Sequence, residues 1–351
     1  MNLAAMKQQF ERILFIRMSA VGDVINTLPA LTALRTGFPR ARIGFLVEDR
    51  ARDLVVGHPC VDRVHLFPRR RWVRMLARPN EWLTLVREVG AFLRELRSQR
   101  YDVALELQSN LKGAIQAIAS GARLRVGFSA GHTKEANHLF THVHVAPPAR
   151  ILNRVDKFLA IVGALGAPTD QAEYRLPASP ASASRVAAFL DGARLRSSEF
   201  VAMHPGTSDF GRAKRWMPER FAELAERIGR DLRLRSVVTW GPGERELAEQ
   251  ICASSHGHAI PAMQTTSILD LAEILRHARL FIGCDSGPLH LASAVGAPSV
   301  ALFGPKDPRV YGPHNPHSRV VYKPNGNGSP MSAITVEEVC HSVQDLLHSP
   351  A

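Results

Sequence analysis

Cysteine is scarce in this 351-residue sequence: Cys60, Cys252, Cys284 and Cys340 are widely scattered and none stand at CxxC spacing. That scatter argues against a disulfide framework and a clustered zinc site, and it fits a reducing cytoplasm. Long apolar runs are also missing. No stretch reaches the roughly 18 residues of a membrane span, and the start, MNLAAMKQQFERILFIRMSAVGD, has no apolar core ahead of a cleavage site. The expectation is a cytoplasmic protein that meets a membrane only peripherally. There is no GxGxxG turn, which weighs against a dehydrogenase with two Rossmann-like halves. Nor is there a helix-turn-helix, zinc-finger or RNA-recognition signature. No Asp-x-Asp pair stands out to hold a metal, and none is expected.

What is present is a balanced globular composition, 45% apolar and 22% charged, with a formal net charge of +12. The charge favours an anionic partner: a phosphorylated substrate, an anionic membrane surface or nucleic acid. A nucleic-acid-binding α/β protein is therefore one rival reading. A length of 351 residues suggests two domains.

Strands and helices alternate along the chain. Apolar runs at 12–18, 41–48, 61–68 and 101–108 read as strands. The segments 24–38 and 110–121 carry helical spacing, with Leu28, Leu31 and Leu34 inward. Residues 169–184, rich in Pro, Ala and Ser, read as a linker region. The alternation then resumes at FVAMHPG (200–206) and runs to RLFIGCDSG, PSVALFGP and a last helix, VEEVCHSVQDLLH. Such alternation predicts parallel sheets covered by helices. The domains expected are 1–175, 185–335 and a C-terminal helix at 336–351, with packing back on the N-terminal domain as one option.

Five segments carry candidate chemistry. The turn SAVGD (19–23) ends the first strand, where open α/β sheets place ligands. Asp23 suits either a helix N-cap or a general base acting on a hydroxyl. In HPGTSDFGRAKRWMP (204–218), Gly206 permits a close turn, Thr207 and Ser208 supply hydroxyls, and Lys214 and Arg215 supply positive charge for a phosphate. In FIGCDSGPLHLASAVG (281–296), Asp285, Ser286 and Gly287 turn into a helix whose free N–H groups favour an anion. His290 follows on its first turn. WGPGERE places Glu244 and Glu246 at another strand end, suited to a ribose or sugar hydroxyl or simply to a helix's first turn. Arg69, Arg70, Arg71 and Arg74, with Trp72, could grip an acidic acceptor or a membrane, or form a solvated face.

Four segments in order, SAVGDVINTLPAL (19–31), YDVALELQSNLKGA (101–114), HPGTSDFGRAKRWMPERFAEL (204–224) and DSGPLHLASAVGAPSVALFGPKDP (285–308), resemble the bacterial heptosyltransferases, the ADP-heptose:lipopolysaccharide transferases of glycosyltransferase family 9. The resemblance implies a GT-B architecture, two Rossmann-like doubly wound domains facing across a cleft. The N-terminal domain would take the acceptor and the C-terminal one the nucleotide sugar. It implies inverting transfer of L-glycero-D-manno-heptose from ADP-heptose to the lipopolysaccharide inner core at the inner face of the inner membrane, without a cofactor and without nucleic acid. Asp23 would be the base and Lys214 would steady the leaving diphosphate. Thr207, Ser208, Lys214, Glu244, Met263, Asp285, Ser286, Gly287 and His290 would bind the donor. Lys112 would lie near the cleft and bind the acceptor; Arg69, Arg70 and Arg71 are acceptor-binding candidates on their charge alone. Between Lys214 and Pro218 the chain is one residue longer than the K-x-W-P run of some members, and residues 69–82 match no motif of the family. A GT-B transferase or epimerase using another nucleotide sugar is the neighbouring alternative.

Overall fold

The computed structural model describes residues 10–149, 152–207, 209–324 and 330–348. The chain forms two compact units, Met1–Ala178 and Ser179–Ala351. The division falls inside the Pro/Ala/Ser-rich segment, although the helix Pro180–Ala193 (α6) already begins there, with Ser179 accepting the Ser182 N–H as its cap.

The first unit carries a six-stranded parallel sheet. Its strands in chain order are Arg12–Ile16 (β1), Arg42–Glu48 (β2), Arg63–Phe67 (β3), Val103–Glu106 (β4), Leu124–Phe128 (β5) and Val143–Val145 (β6). They lie in the order β3-β2-β1-β4-β5-β6. The central strands are buried along nearly their whole length, as β4 (VALE) shows. Continuous apolar runs of this kind mark a parallel sheet covered on both faces. Helices Val21–Gly37 (α1) and Arg154–Ala164 (α5) pack against each other. Phe158 of α5 meets Phe128 of β5. Helices Trp82–Ser98 (α3) and Leu111–Ala119 (α4) supply Leu96 and Ala117 to a different cluster, around Leu14, Ile16, Met18 and Leu46. The Arg-rich segment forms its own helix, Arg69–Leu76 (α2).

The second unit repeats the plan. Its strands are Phe200–His204 (β7), Arg235–Val238 (β8), Ala259–Pro261 (β9), Leu280–Cys284 (β10), Ser299–Phe303 (β11) and Ser318–Tyr322 (β12). Their order is β12-β11-β10-β7-β8-β9, all parallel. Helix Pro218–Leu232 (α7) starts on a proline, which suits a first helical position. It buries Phe221, Leu224 and Ile228 beside Trp216. The Trp216 indole N–H donates to the Ile334 carbonyl at 3.0 Å. Four further helices, Arg245–Ala253 (α8), Ile268–His277 (α9), Gly287–Ala294 (α10) and Pro308–Tyr311 (α11), fill the connections. The last helix, Val336–His348 (α12), packs on α7 and β12. Val336, Val339 and Val343 join the second unit's core. Its buried valines thus belong to that core.

Candidate active site

In each unit the strand order reverses direction at one place, between β1 and β4 in the first and between β7 and β10 in the second. Crevices at such reversals, beyond the carboxyl ends of the strands, are where open α/β sheets bind ligands. In the first unit Ile16 pairs with Glu106, so the chains leaving β1 and β4 start side by side. In the second, His204 pairs with Gly283, and the chains leaving β7 and β10 do the same.

Asp23 lies at the first reversal. Helix α1 begins at Val21 with Ala20 as its N-cap, so Asp23 is the third helical residue and not the cap. Its carboxylate receives only a long 3.4 Å hydrogen bond from the Ala20 N–H. Its main partners are guanidiniums: Arg17 at 2.6 Å and, on the other oxygen, Arg154. Arg17 is almost fully buried. It also donates to the Leu107 carbonyl at 2.6 Å and lies 5.2 Å from the centre of the Phe158 ring. Burial lowers its pKa to about 10, against the raising influence of Glu106. Two groups nearby are ordinarily charged but are pushed toward neutrality. Burial lifts the Glu106 carboxyl to about 7, although it accepts the Ser109 N–H. Burial, then the charges of Arg154 and Arg17, lowers Lys157 to about 8. Gly113 is required here, because a Cβ would lie 1.9 Å from the Glu106 carboxylate.

Lys112 reaches the same edge. Its ammonium donates to the Ser19 hydroxyl at 2.8 Å and pairs with Glu48 at 2.7 Å. Gln108 accepts the Met18 N–H and donates to the Ser19 carbonyl, fastening the β1–α1 turn to the end of β4. Arg69, Arg70 and Arg71 are elsewhere. They open α2, after edge strand β3, two strands from β1. Arg71 is held bidentate by Glu88. Trp72 is buried, donates to the same carboxylate at 3.0 Å, and packs edge-on against Phe67 and Phe92. Trp72 is therefore a core residue and not a membrane contact.

At the second reversal Lys214 pairs with Asp285 at 2.7 Å. His290 stands 3.9 Å from the other Asp285 oxygen. Ser286 is the N-cap of α10 but makes no side-chain cap bond, and its buried hydroxyl has no partner among the described residues. Gly287 opens the helix. A second group stands beside this one. Arg215 donates to the Thr207 hydroxyl at 3.0 Å and faces Glu244 at 3.4 Å. Glu244 accepts the Gly241 N–H at 3.0 Å. Gly206 is needed because a Cβ there would meet the Glu244 carboxylate at 2.1 Å. His204, buried, hydrogen-bonds Thr239 at 2.9 Å, and burial holds its pKa down to about 4. Met263 follows β9, two strands from β7, and is half-buried. Ser208 lies outside the described residues. Burial pushes the Cys284 thiol up to about 12, so it is no nucleophile.

Asp23, Lys112, Thr207, Lys214, Glu244 and Asp285, singled out in the sequence in strand-end turns and the segments that follow them, thus stand at or beside the two reversals. Sequence reasoning missed the partners that hold them: Arg17, Arg154, Glu48 and Gln108. A lone arginine at the end of the apolar run RILFIRM was the available signal for Arg17. Nothing local marks Arg154.

Residues 89–340 match the model of glycosyltransferase family 9 (heptosyltransferase). The chain belongs to this family. It is a glycosyltransferase, which sets aside the dehydrogenase and nucleic-acid-binding readings. Lipopolysaccharide heptosyltransferase 1 of Pseudomonas aeruginosa is 30% identical over 309 residues, 86% of this chain and 81% of that protein. The protein of the same name from Escherichia coli K12 is 25% identical over 324 residues, 90% of this chain and 95% of that one. Among solved structures, the family 9 glycosyl transferase of Veillonella parvula superimposes with a TM-score of 0.81 at 22% identity, covering 99% and 98% of the two chains. Escherichia coli heptosyltransferase WaaC with ADP gives 0.78 at 24% identity, covering 95% and 99%. The family 9 member described here has the GT-B fold of these structures.

Proposed function

We propose that this enzyme transfers L-glycero-D-manno-heptose from ADP-heptose to a hydroxyl of the lipopolysaccharide inner core, with inversion at the anomeric carbon. One observation carries the reading: a carboxylate stands at the strand reversal of the first unit, and a lysine with a helix N-terminus stands at that of the second. The acceptor oxygen attacks the anomeric carbon as its proton passes to Asp23. The bond from that carbon to the phosphate oxygen breaks, and its electron pair leaves with ADP. Lys214 and the first N–H groups of α10 stabilise the charge growing on the diphosphate. Thr207, Ser208, Glu244, Met263, Asp285 and His290 complete the donor site, and Lys112 orients the acceptor. No step is assigned to a cofactor.

The names of its relatives support heptose and lipopolysaccharide as substrates, and the WaaC complex supports ADP as the nucleotide. The enzyme works at the inner face of the inner membrane, held there peripherally; no helix among the described residues is long and apolar enough to cross a bilayer. Mass spectrometry and NMR of the product test the proposal, after incubation with ADP-heptose, ADP-hexoses or UDP-sugars and a set of truncated core acceptors. A product only from ADP-heptose, with inverted anomeric configuration, is expected. Equal transfer from a UDP-sugar, or retained configuration, would overturn it.

A further inference from the structure

Large apolar side chains on the surface are unevenly placed. Exposed examples in the second unit are confined to Val320 and Tyr322 of edge strand β12, among the described residues. In the first unit all but Val56 and Leu139 gather on α2, α3 and α4. On α3, Trp82, Leu83 and Val86 are 54%, 65% and 68% exposed. Spacings of three and four residues put them on one helix face. The Trp82 indole donates to the Leu76 carbonyl at 3.0 Å, which brings it against the end of α2. There Val73 and Leu76 are themselves more than half exposed. Helix α4 contacts α3 and turns Gly113, Ala114 and Ala117 inward, while Leu111, Ile115 and Ile118 stay exposed.

These helices share a reason for lying together. A right-handed crossover from β3 back to β4 places α2 and α3 on one side of the sheet, and the crossover from β4 to β5 adds α4 to the same side. The surface is also mainly of one sign. Between residues 69 and 88 there are six arginines, Arg69, Arg70, Arg71, Arg74, Arg78 and Arg87, against two acids, Glu81 and Glu88, which pair with Arg78 and Arg71. All six arginines are exposed. Exposed apolar and aromatic side chains flanked by arginine are the composition of a helix lying in a membrane interface. At its α4 end the surface reaches Leu111, next to Lys112, at the strand-end edge that carries Asp23.

We propose that the outer face of α2, α3 and α4 docks on an anionic phospholipid bilayer, with Trp82, Leu83 and Val86 inserted and the arginines on the headgroups. A lipid-anchored acceptor would then enter the first unit beside Lys112. The choice of a lipid surface rests on the acceptor reading above, but vesicle binding and tryptophan quenching test it with neither donor nor acceptor.

The full-length protein is sedimented with vesicles of pure phosphatidylcholine and of phosphatidylcholine with phosphatidylglycerol. Binding to the anionic vesicles is expected, weakening with salt by about fivefold for each arginine contact screened. The triple variant W82S/L83S/V86S should bind at least tenfold more weakly and keep its turnover on a water-soluble core acceptor. Brominated lipid should quench wild-type tryptophan fluorescence, and Trp82→Phe should remove that quenching, which reads insertion without depending on the triple variant's folding. Failure of the wild type to bind anionic vesicles, or a triple variant that binds as tightly, would overturn the proposal. So would a wild-type dimer that the triple variant dissolves without any vesicle binding, because the face would then belong to a second copy. Absent turnover with normal vesicle binding would count against the acceptor reading alone.

Discussion

Replacing Asp23 with asparagine separates chemistry from structure at the first reversal. As the base, Asp23 should be worth about 10²–10⁴ in turnover. The structure adds a stability cost that a simple capping residue would not carry. Each carboxylate oxygen serves a guanidinium. Asparagine keeps one acceptor oxygen and turns the other toward its partner as an amide N–H, so one arginine loses its anion. Arg17 is the buried one, but it keeps the Leu107 carbonyl and the Phe158 ring. The loss is therefore that of one charged hydrogen bond, about 1.5–3 kcal/mol. For a unit of this size that lowers Tm by roughly 3–12 °C. Turnover should be measured by product mass spectrometry well below that Tm, with Arg154→Ala as the companion variant. Removal of Arg154 disturbs the same ion pair and leaves the carboxylate, so it should cost much less turnover than Asp23→Asn. A folded Asp23→Asn enzyme with more than roughly a tenth of wild-type turnover would refute the base assignment, since the expected loss is far larger. Equal losses in the two variants would show that the ion pair matters and the base does not.

Lys214→Ala should weaken ADP binding by about 1.5–3 kcal/mol, measured by calorimetry, because a charged hydrogen-bond donor is lost; wild-type affinity and turnover together would remove Lys214 from the site. His58 and His204 are both held near 4 by burial, against an ordinary 6.5. Their contribution to stability is therefore complete above pH 6.5 and is lost as the pH falls toward 4, by up to about 3 kcal/mol each. His204→Gln should flatten the acid side of a Tm-against-pH curve, and an unchanged curve would contradict the assignment. Glu106 has the opposite sign: its pKa is raised to about 7, so stability falls as the pH rises from about 4.5 to 7. Glu106→Gln should gain in Tm relative to wild type between pH 5 and pH 8; a constant difference would show that Glu106 titrates normally.

The strand-end turns were legible because apolar runs ended in small residues that carried charge; the reversals of strand order that make crevices of them were not. SAVGD after RILFIRM and CDSGP after RLFI announce strand ends before any packing is known. The start of α1 was read three residues late, since Val21, Gly22 and Asp23 look like turn but take helical positions. Strand β5 was hidden by Arg125 and Gly127, and β6 by its three-residue length. Helix α5 was not read, although Pro147 and Pro148 break the chain before it and the Asn153 side chain caps it. The Arg69–Trp72 segment misled in a different way. Its composition suggested one polar surface, but helical spacing sends Trp72 and Met75 inward while Val73, Leu76 and the arginines stay outside. Partners distant in sequence, such as Arg154 for Asp23, have no local signature at all.

The two units share one topology but solve opposite electrostatic problems. At the second reversal the proposed ligand is a diphosphate, and it would meet a helix N-terminus and cations that carboxylates already hold, Lys214 by Asp285 and Arg215 by Glu244. At the first, a carboxylate must stay available to an uncharged hydroxyl while the neighbourhood remains basic enough to receive an acidic acceptor. Arg17 and Arg154 hold Asp23 in place, and burial tempers the charges around them, raising Glu106 and lowering Lys157. If the acceptor carries an acid group, Arg154, half-buried where Arg17 is buried, is the partner that could turn toward it, which would release one Asp23 oxygen for the hydroxyl. On this argument the acceptor's own charge prepares the base. An acceptor stripped of its acid group should then lose kcat as well as raise KM, whereas a purely attractive site would change KM alone.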